Sequence, residues 1–136
     1  MSVKTRNQQM AERAFRAVDG QRQRNGEYDS FAKRFPALIH SAGLCQAVAF
    51  AQAKGRSEAG KPDKAPLLVL KDVLKTMKLD DNRDAAVFAE RVRDAEVLEY
   101  LRLSQLVIEA ATWVKRYVEA IEAVRNQRPT NEDRDE

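Results

Sequence analysis

Between Glu96 and Arg125 lie thirty residues with neither glycine nor proline. Within that run, apolar side chains fall at Leu103, Leu106, Val107, Ala110, Trp113, Val114, Tyr117, Val118, Ile121 and Val124. Steps of one, three and four at 3.6 residues per turn place them on one broad stripe. Arg102, Gln105, Glu109, Thr112, Arg116 and Glu119 take the opposite side. A helix of that length is a rod of roughly 45 Å at 1.5 Å per residue. It is expected to be the spine on which shorter helices pack, with Trp113 in the core. Val97, Leu98, Tyr100 and Leu101 are apolar on further faces, so the first two turns are expected to be buried nearly all round.

The remaining chain reads as shorter helices. The first is expected over Thr5 to Val18, with Met10, Ala14, Ala17 and Val18 inward and a polar row of Arg6, Gln9, Arg13 and Arg16. Gly20 ends it. A basic loop leads to a second helix starting near Tyr28 to Ser30, which should kink at Pro36 or restart with Pro36 in its first turn. Gly43 is the stop, suited to a left-handed backbone. A third helix runs from Leu44 to Lys54, with Leu44, Ala47, Val48, Phe50 and Ala51 apolar. Residues 55–64 form a basic, solvated loop. Pro66 opens a fourth helix to Met77, and Asp80, Asp81 and Asn82 supply a turn and an N-cap. A fifth runs from Asp84 to Arg93, with no clear break in the sequence before the spine. The fold class is therefore all-α: one bundle domain of five or six helices over residues 1–126. Residues 127–136 are expected to be a disordered acidic tail.

Composition removes several functions. Lys, Arg, Asp and Glu make up 33% of the 136 residues, and no apolar run approaches the roughly 20 that a membrane span needs. That points to the cytoplasm and away from a membrane. One cysteine, Cys45, and one histidine, His40, cannot supply the three or four soft ligands of a zinc site, so no metal or other cofactor is expected. Glycine-rich phosphate loops and nucleophile elbows are missing, which argues against an enzyme. Phe35 to Lys54 has the outline of a helix-turn-helix, but its second helix is too apolar to read a DNA groove.

Charge is the remaining lead. Residues 1–78 hold 15 Lys/Arg against 7 Asp/Glu, a balance of +8; residues 79–136 hold 9 against 14, a balance of −5. A basic half joined to an acidic half suits a polyanion and also another subunit or copy. No aromatic residues alternate with the cations in an exposed pattern, so phosphate contact is the chemistry on offer.

Three groups of residues carry a resemblance. They are Lys4-Thr5-Arg6 with Gln8 and Gln9; Tyr28, Phe35-Pro36-Ala37-Leu38-Ile39 and Gly43-Leu44 with Gln46, Ala47 and Phe50; and Tyr100-Leu101-Arg102-Leu103 with Trp113-Val114-Lys115-Arg116-Tyr117. In order and spacing they resemble the small helical subunit of the type III-B CRISPR effector, the Cmr complex, across most of residues 4–124. The 55–65 loop and the acidic tail depart from that pattern. The resemblance implies a non-catalytic bundle that stacks in a few copies as a minor filament beside the backbone subunit. There it would support crRNA-guided binding of target RNA in antiviral defence. Its partners would be the backbone and other Cmr subunits, further copies of itself, crRNA and target RNA. With that role, Arg6, Arg13, Lys54, Lys115 and Arg116 are expected to face one groove and neutralise RNA phosphates. The alternatives are a free-standing basic helical nucleic-acid-binding protein and the type III-A small-subunit counterpart.

Overall fold

In a computed structural model, which describes residues 3–78 and 84–127, the chain forms six helices. They are α1 (Arg6–Asp19), α2 (Gly26–Ala42), α3 (Leu44–Gly55), α4 (Ala65–Met77), α5 (Ala85–Asp94) and α6 (Val97–Gln127). No strand occurs among the described residues. The expected turn at Asp80–Asn82 lies outside the described residues, as does the tail after Gln127. Asp84 is the N-cap of α5, its carboxylate accepting from the Ala86 N–H.

Long-range bonds set the helix directions. Lys33 of α2 pairs with Glu122 of α6, while Tyr100 of α6 meets Cys45 just past the α2–α3 turn. The second helix therefore runs antiparallel to the spine. Arg6 pairs with Glu109, and Phe15 meets Tyr117 edge-on at 5.5 Å, so α1 runs parallel to it. Arg13 reaches the Thr76 carbonyl and Gln21 reaches Asp72, which makes α4 antiparallel to α1. Stacking of Phe31 on Phe50 shows α3 folded back on α2.

The core is continuous, with Phe35, Leu44, Leu70, Phe88, Leu103, Val107, Val114 and Val118 fully buried. At about 25 cal/mol per Å² of apolar surface removed from water, this burial is the main stabilising term. Thr5 starts α1 as a capping box: its hydroxyl accepts the Gln8 N–H at 3.1 Å, and the Gln8 side chain accepts the Thr5 N–H at 2.8 Å. Gly55 permits a close approach of α3 to α4, since a Cβ there would run into the backbone and Cβ of Leu67. The 55–64 loop is drawn together by Ser57, whose hydroxyl donates to the Pro62 carbonyl at 2.7 Å, and by the Lys64 N–H on the Gly55 carbonyl at 2.8 Å.

Several expectations are corrected. The helix does not restart at Pro36: α2 continues through it, with Pro36 buried. The lost hydrogen bond costs about 3 kcal/mol, and burial of Phe35, Pro36 and Ile39 on the same helix offsets it. Gly43 has a positive φ, but at φ 89°, ψ 160° it is extended rather than left-handed helical. Only glycine adopts that region readily. Ala95 is extended, so α5 and α6 are separate helices. Trp113 is half-buried, stacked on Tyr117 at 6.0 Å between ring centres, and sits at the margin of the core. The largest departure is the start of α6. Val97 is 74% exposed and Leu98 82%, and Leu101 is exposed with them. Those turns meet the bundle through Tyr100 and the Glu99–Arg91 pair, and no further helix among the described residues covers Val97, Leu98 and Leu101.

Candidate nucleic-acid interface

The five cations expected in one groove occupy different flanks of the bundle. Arg6 starts α1 and pairs with Glu109 at 3.4 Å, both side chains being mostly exposed. Arg13, two turns along α1, donates its Nε to the Thr76 carbonyl at 2.8 Å and thereby closes an orphan carbonyl at the end of α4. Beside it a cleft of about 320 Å³ is lined by Arg13, Arg16, Gln21 and Lys75. Arg116 lies where α6 runs beside α1 and bonds Glu119 at 3.1 Å. Lys115 is one residue earlier, about 100° round the helix. It shares a row with Glu122, seven residues on, which meets Lys33 of α2.

Lys54 stands apart from these four. It ends α3 next to Gly55, and Gly55 touches Leu67 near the start of α4, whereas Arg13 is bonded to Thr76 near its end. Nine residues of helix separate those points, roughly 13 Å. Lys54 and Lys115 have no carboxylate partner among the described residues. Thus Arg6, Arg13 and Arg116 gather around α1, Lys115 turns toward the α2 flank, and Lys54 belongs to the α3–α4 corner.

Two buried carboxylates, Asp29 and Asp72, join the α1–α2 connection to the bundle. Arg24 grips Asp29 through Nε at 2.6 Å and a terminal nitrogen at 3.1 Å. The Asp29 carboxylate raises the Arg24 pKa further, so this guanidinium is a fixed charge. Asp72 is fully buried; Tyr28 donates its hydroxyl to Asp72 Oδ2 at 2.6 Å, and Gln21 donates at 2.9 Å. The other carboxylate oxygen has no hydrogen-bond partner, with Lys75 Nζ 3.6 Å away. Burial raises the Asp72 pKa, against the lowering effect of Tyr28, Gln21 and Lys75. The Tyr28 hydroxyl is pushed upward by burial and by the neighbouring carboxylate, so it remains a donor. This cluster fixes the connection, and its outer members Gln21 and Lys75 line the cleft beside Arg13.

Among the described residues no three of His, Cys, Asp and Glu come together as metal ligands, and no helix is long and apolar enough to cross a membrane. His40 is exposed, and Cys45 is half-buried at the start of α3.

Comparison with known proteins gives this surface its context. The family model described as CRISPR-associated protein (Cas_Cmr5) matches residues 6–121. The chain belongs to the Cmr5 family. A curated relative from Thermus thermophilus, "CRISPR system Cmr subunit Cmr5", is 36% identical over 121 residues, 88% of this chain and 97% of the relative. The crystal structure of a CRISPR-associated Cmr5 family protein, also from Thermus thermophilus, matches with a TM-score of 0.74 and 34% identity, covering 87% of this chain and 97% of the other. Membership thus extends over α1 to the greater part of α6. The resemblance drawn from three groups of residues is to this same family.

Proposed function

We propose that this chain is the small, non-catalytic subunit of a type III-B Cmr ribonucleoprotein, stacking in copies beside the backbone subunit and supporting crRNA-guided binding of target RNA in antiviral defence. The observation that carries the reading is the family match across residues 6–121, together with a relative whose own name makes it a Cmr subunit. Two features of the fold support it. The first is the pair of apolar surfaces toward opposite ends of α6. Val97, Leu98 and Leu101 project at its start, and a groove of about 410 Å³ lined by Phe15, Tyr117, Ala120, Ile121 and Val124 lies near its end. Different surfaces at two ends suit a head-to-tail contact between copies, which propagates as a stack instead of closing as a dimer.

The second is cation chemistry. Arg6, Arg13, Lys54, Lys115 and Arg116 are the proposed phosphate contacts. Lys54 and Lys115 offer charge without a competing carboxylate among the described residues. The exposed pairs Arg6–Glu109 and Arg116–Glu119 are worth about 0–1 kcal/mol each, so a phosphate can replace the glutamate at little cost. Because the five occupy more than one flank, RNA phosphates would be met at separate points along its path.

Changing Lys115 and Arg116 to Glu tests this. Target retention by the assembled complex should weaken for every target sequence alike, and the salt slope of log affinity should become shallower by about 0.7 for each phosphate that is no longer neutralised. Full incorporation of the variant with an unaltered slope removes both residues from the RNA surface. Loss of the variant from the complex, with the slope kept in complexes that do form, assigns them to a protein contact.

A further inference from the structure

Residues 30–57 contain no aspartate or glutamate, although the chain has 21. Those 28 positions take in α2 from Ser30 onward and all of α3, and they carry Lys33, Arg34, Lys54 and Arg56. Folding α3 back on α2 turns this sequence property into a surface property: an antiparallel helix pair that, past the first turn of α2 with its exposed Glu27, carries cations and no anions.

Within that pair sits Phe50, an aromatic residue 40% exposed. Its ring lies parallel to that of the buried Phe31, with 12° between planes and 6.1 Å between centres. Arg34, itself exposed, carries its guanidinium carbon 5.8 Å from the centre of the Phe31 ring. Lys54 follows Phe50 by four residues and so shares its helix face. The exposed neighbours of Phe50 on α3 are Gln46, Ala49, Ala53 and Lys54, none of which carries a negative charge. Lys33 of this segment is paired with Glu122, as Lys4, Arg16, Lys61, Lys71, Arg91 and Arg116 are paired with carboxylates elsewhere, whereas Arg34 and Lys54 have none among the described residues. Glu27, in the first turn of α2, is the carboxylate that borders the cleft beside Arg34.

We infer that the outer face of α2 and α3 is a stacking platform for single-stranded RNA, with a base laid on Phe50 and its flanking phosphates held by Arg34 and Lys54. The inference rests on the RNA-supporting role proposed above and deepens it by naming a base contact. An aromatic ring already stacked on one partner extends the stack without ordering a mobile side chain. Every base has a π-face, so such a platform is sequence-tolerant, as guide-directed binding of arbitrary targets requires. An acidic protein partner would find the same cations but would have no use for the exposed aromatic ring.

The test uses the full-length chain and a fluorescent single-stranded oligouridylate of about a dozen nucleotides, within the range one such module covers. Phe50→Ala should weaken binding about 5- to 100-fold, the range of one base–aromatic stack, and leave the salt slope unchanged. Phe50→Trp should bind at least as tightly as the wild type, which separates loss of the ring from loss of fold. Arg34→Gln with Lys54→Gln should flatten the slope by about 0.7 for each phosphate released. Thermal unfolding of each variant identifies any that fail to fold, and the Trp variant and the glutamine pair then carry the decision. If Phe50→Ala and the glutamine pair bind as the wild type does, the platform is refuted while the RNA-binding role stands. If the wild-type chain does not bind the oligonucleotide at low salt, both fall. Normal RNA binding by variants that no longer enter the Cmr complex would refute the platform and assign the face to a protein subunit.

Discussion

Removing one oxygen atom from Tyr28 perturbs the best-buried polar bond in the fold. In Tyr28→Phe, Asp72 Oδ2 loses a 2.6 Å donor and keeps only Gln21, while its other oxygen already lacks a partner. A hydrogen bond to a charged group contributes about 1.5–3 kcal/mol, and one to a neutral group about 0.5–1.5. Both side chains are fully buried, so solvent does not screen the loss. Burial holds the Asp72 pKa above its ordinary 3.8, with Tyr28 among the groups pulling it down. For a carboxylate raised in this way, the folded state keeps its proton longer than the unfolded chain does. Its contribution to stability is therefore complete below the unfolded value and is lost as pH rises through the folded value. Deleting the Tyr28 hydroxyl raises the folded value further, so the loss at neutral pH deepens. Urea unfolding of both proteins should give a difference of about 2 kcal/mol at neutral pH, shrinking by about 1 kcal/mol once Asp72 is protonated. In an Asp72→Asn background the pH dependence of the difference should vanish. A difference that is flat with pH, or larger in acid, would refute the reasoning.

Other perturbations test other joints. Tyr100 Oη accepts the Cys45 N–H at 3.1 Å, capping α3 where Gly43 has no side chain to do so; Tyr100→Phe should cost about 1 kcal/mol in urea unfolding, and no loss would mean solvent caps the helix equally well. Trp113→Ala should cost about 2 kcal/mol, less than the 3–5 of a fully enclosed aromatic, because the ring is only half-buried; a loss above about 4 kcal/mol would place it back in the core. Leu98→Glu with Leu101→Glu should leave the unfolding midpoint of the isolated chain unchanged and reduce the copies retained in the complex. An unchanged copy number would refute the stacking role of that patch.

The spine was legible because its pattern is long. Leu103, Val107, Ala110, Val114 and Val118 recur at three and four and are all buried. The same logic misplaced Val97, Leu98 and Leu101, since apolarity says what a side chain favours and not whether a partner helix exists to cover it. Phe50 was hidden for the same reason: its place in an apolar run looked like core, and its exposure follows from how α3 docks on α2 and α4. The cations proposed to contact phosphate were legible as charge but not as geometry. Arg6 finds Glu109 across 103 residues, and Arg13 finds a backbone carbonyl at Thr76, neither of which spacing encodes. Tyr28 and Asp72, 44 residues apart, carry no local signal of their bond. By contrast, the α1 capping box has a local signal in Thr5-Arg6-Asn7-Gln8, although no cap was expected there.

The central claim is membership of a ribonucleoprotein, and the mass of intact complexes measures it most directly. A tagged copy of the chain, purified from its native cells under mild salt and weighed intact, should bring down a crRNA together with several other Cmr subunits and more than one untagged copy of itself. Recovery of the chain alone, or with mixed nucleic acid and no companion subunits, would contradict the account.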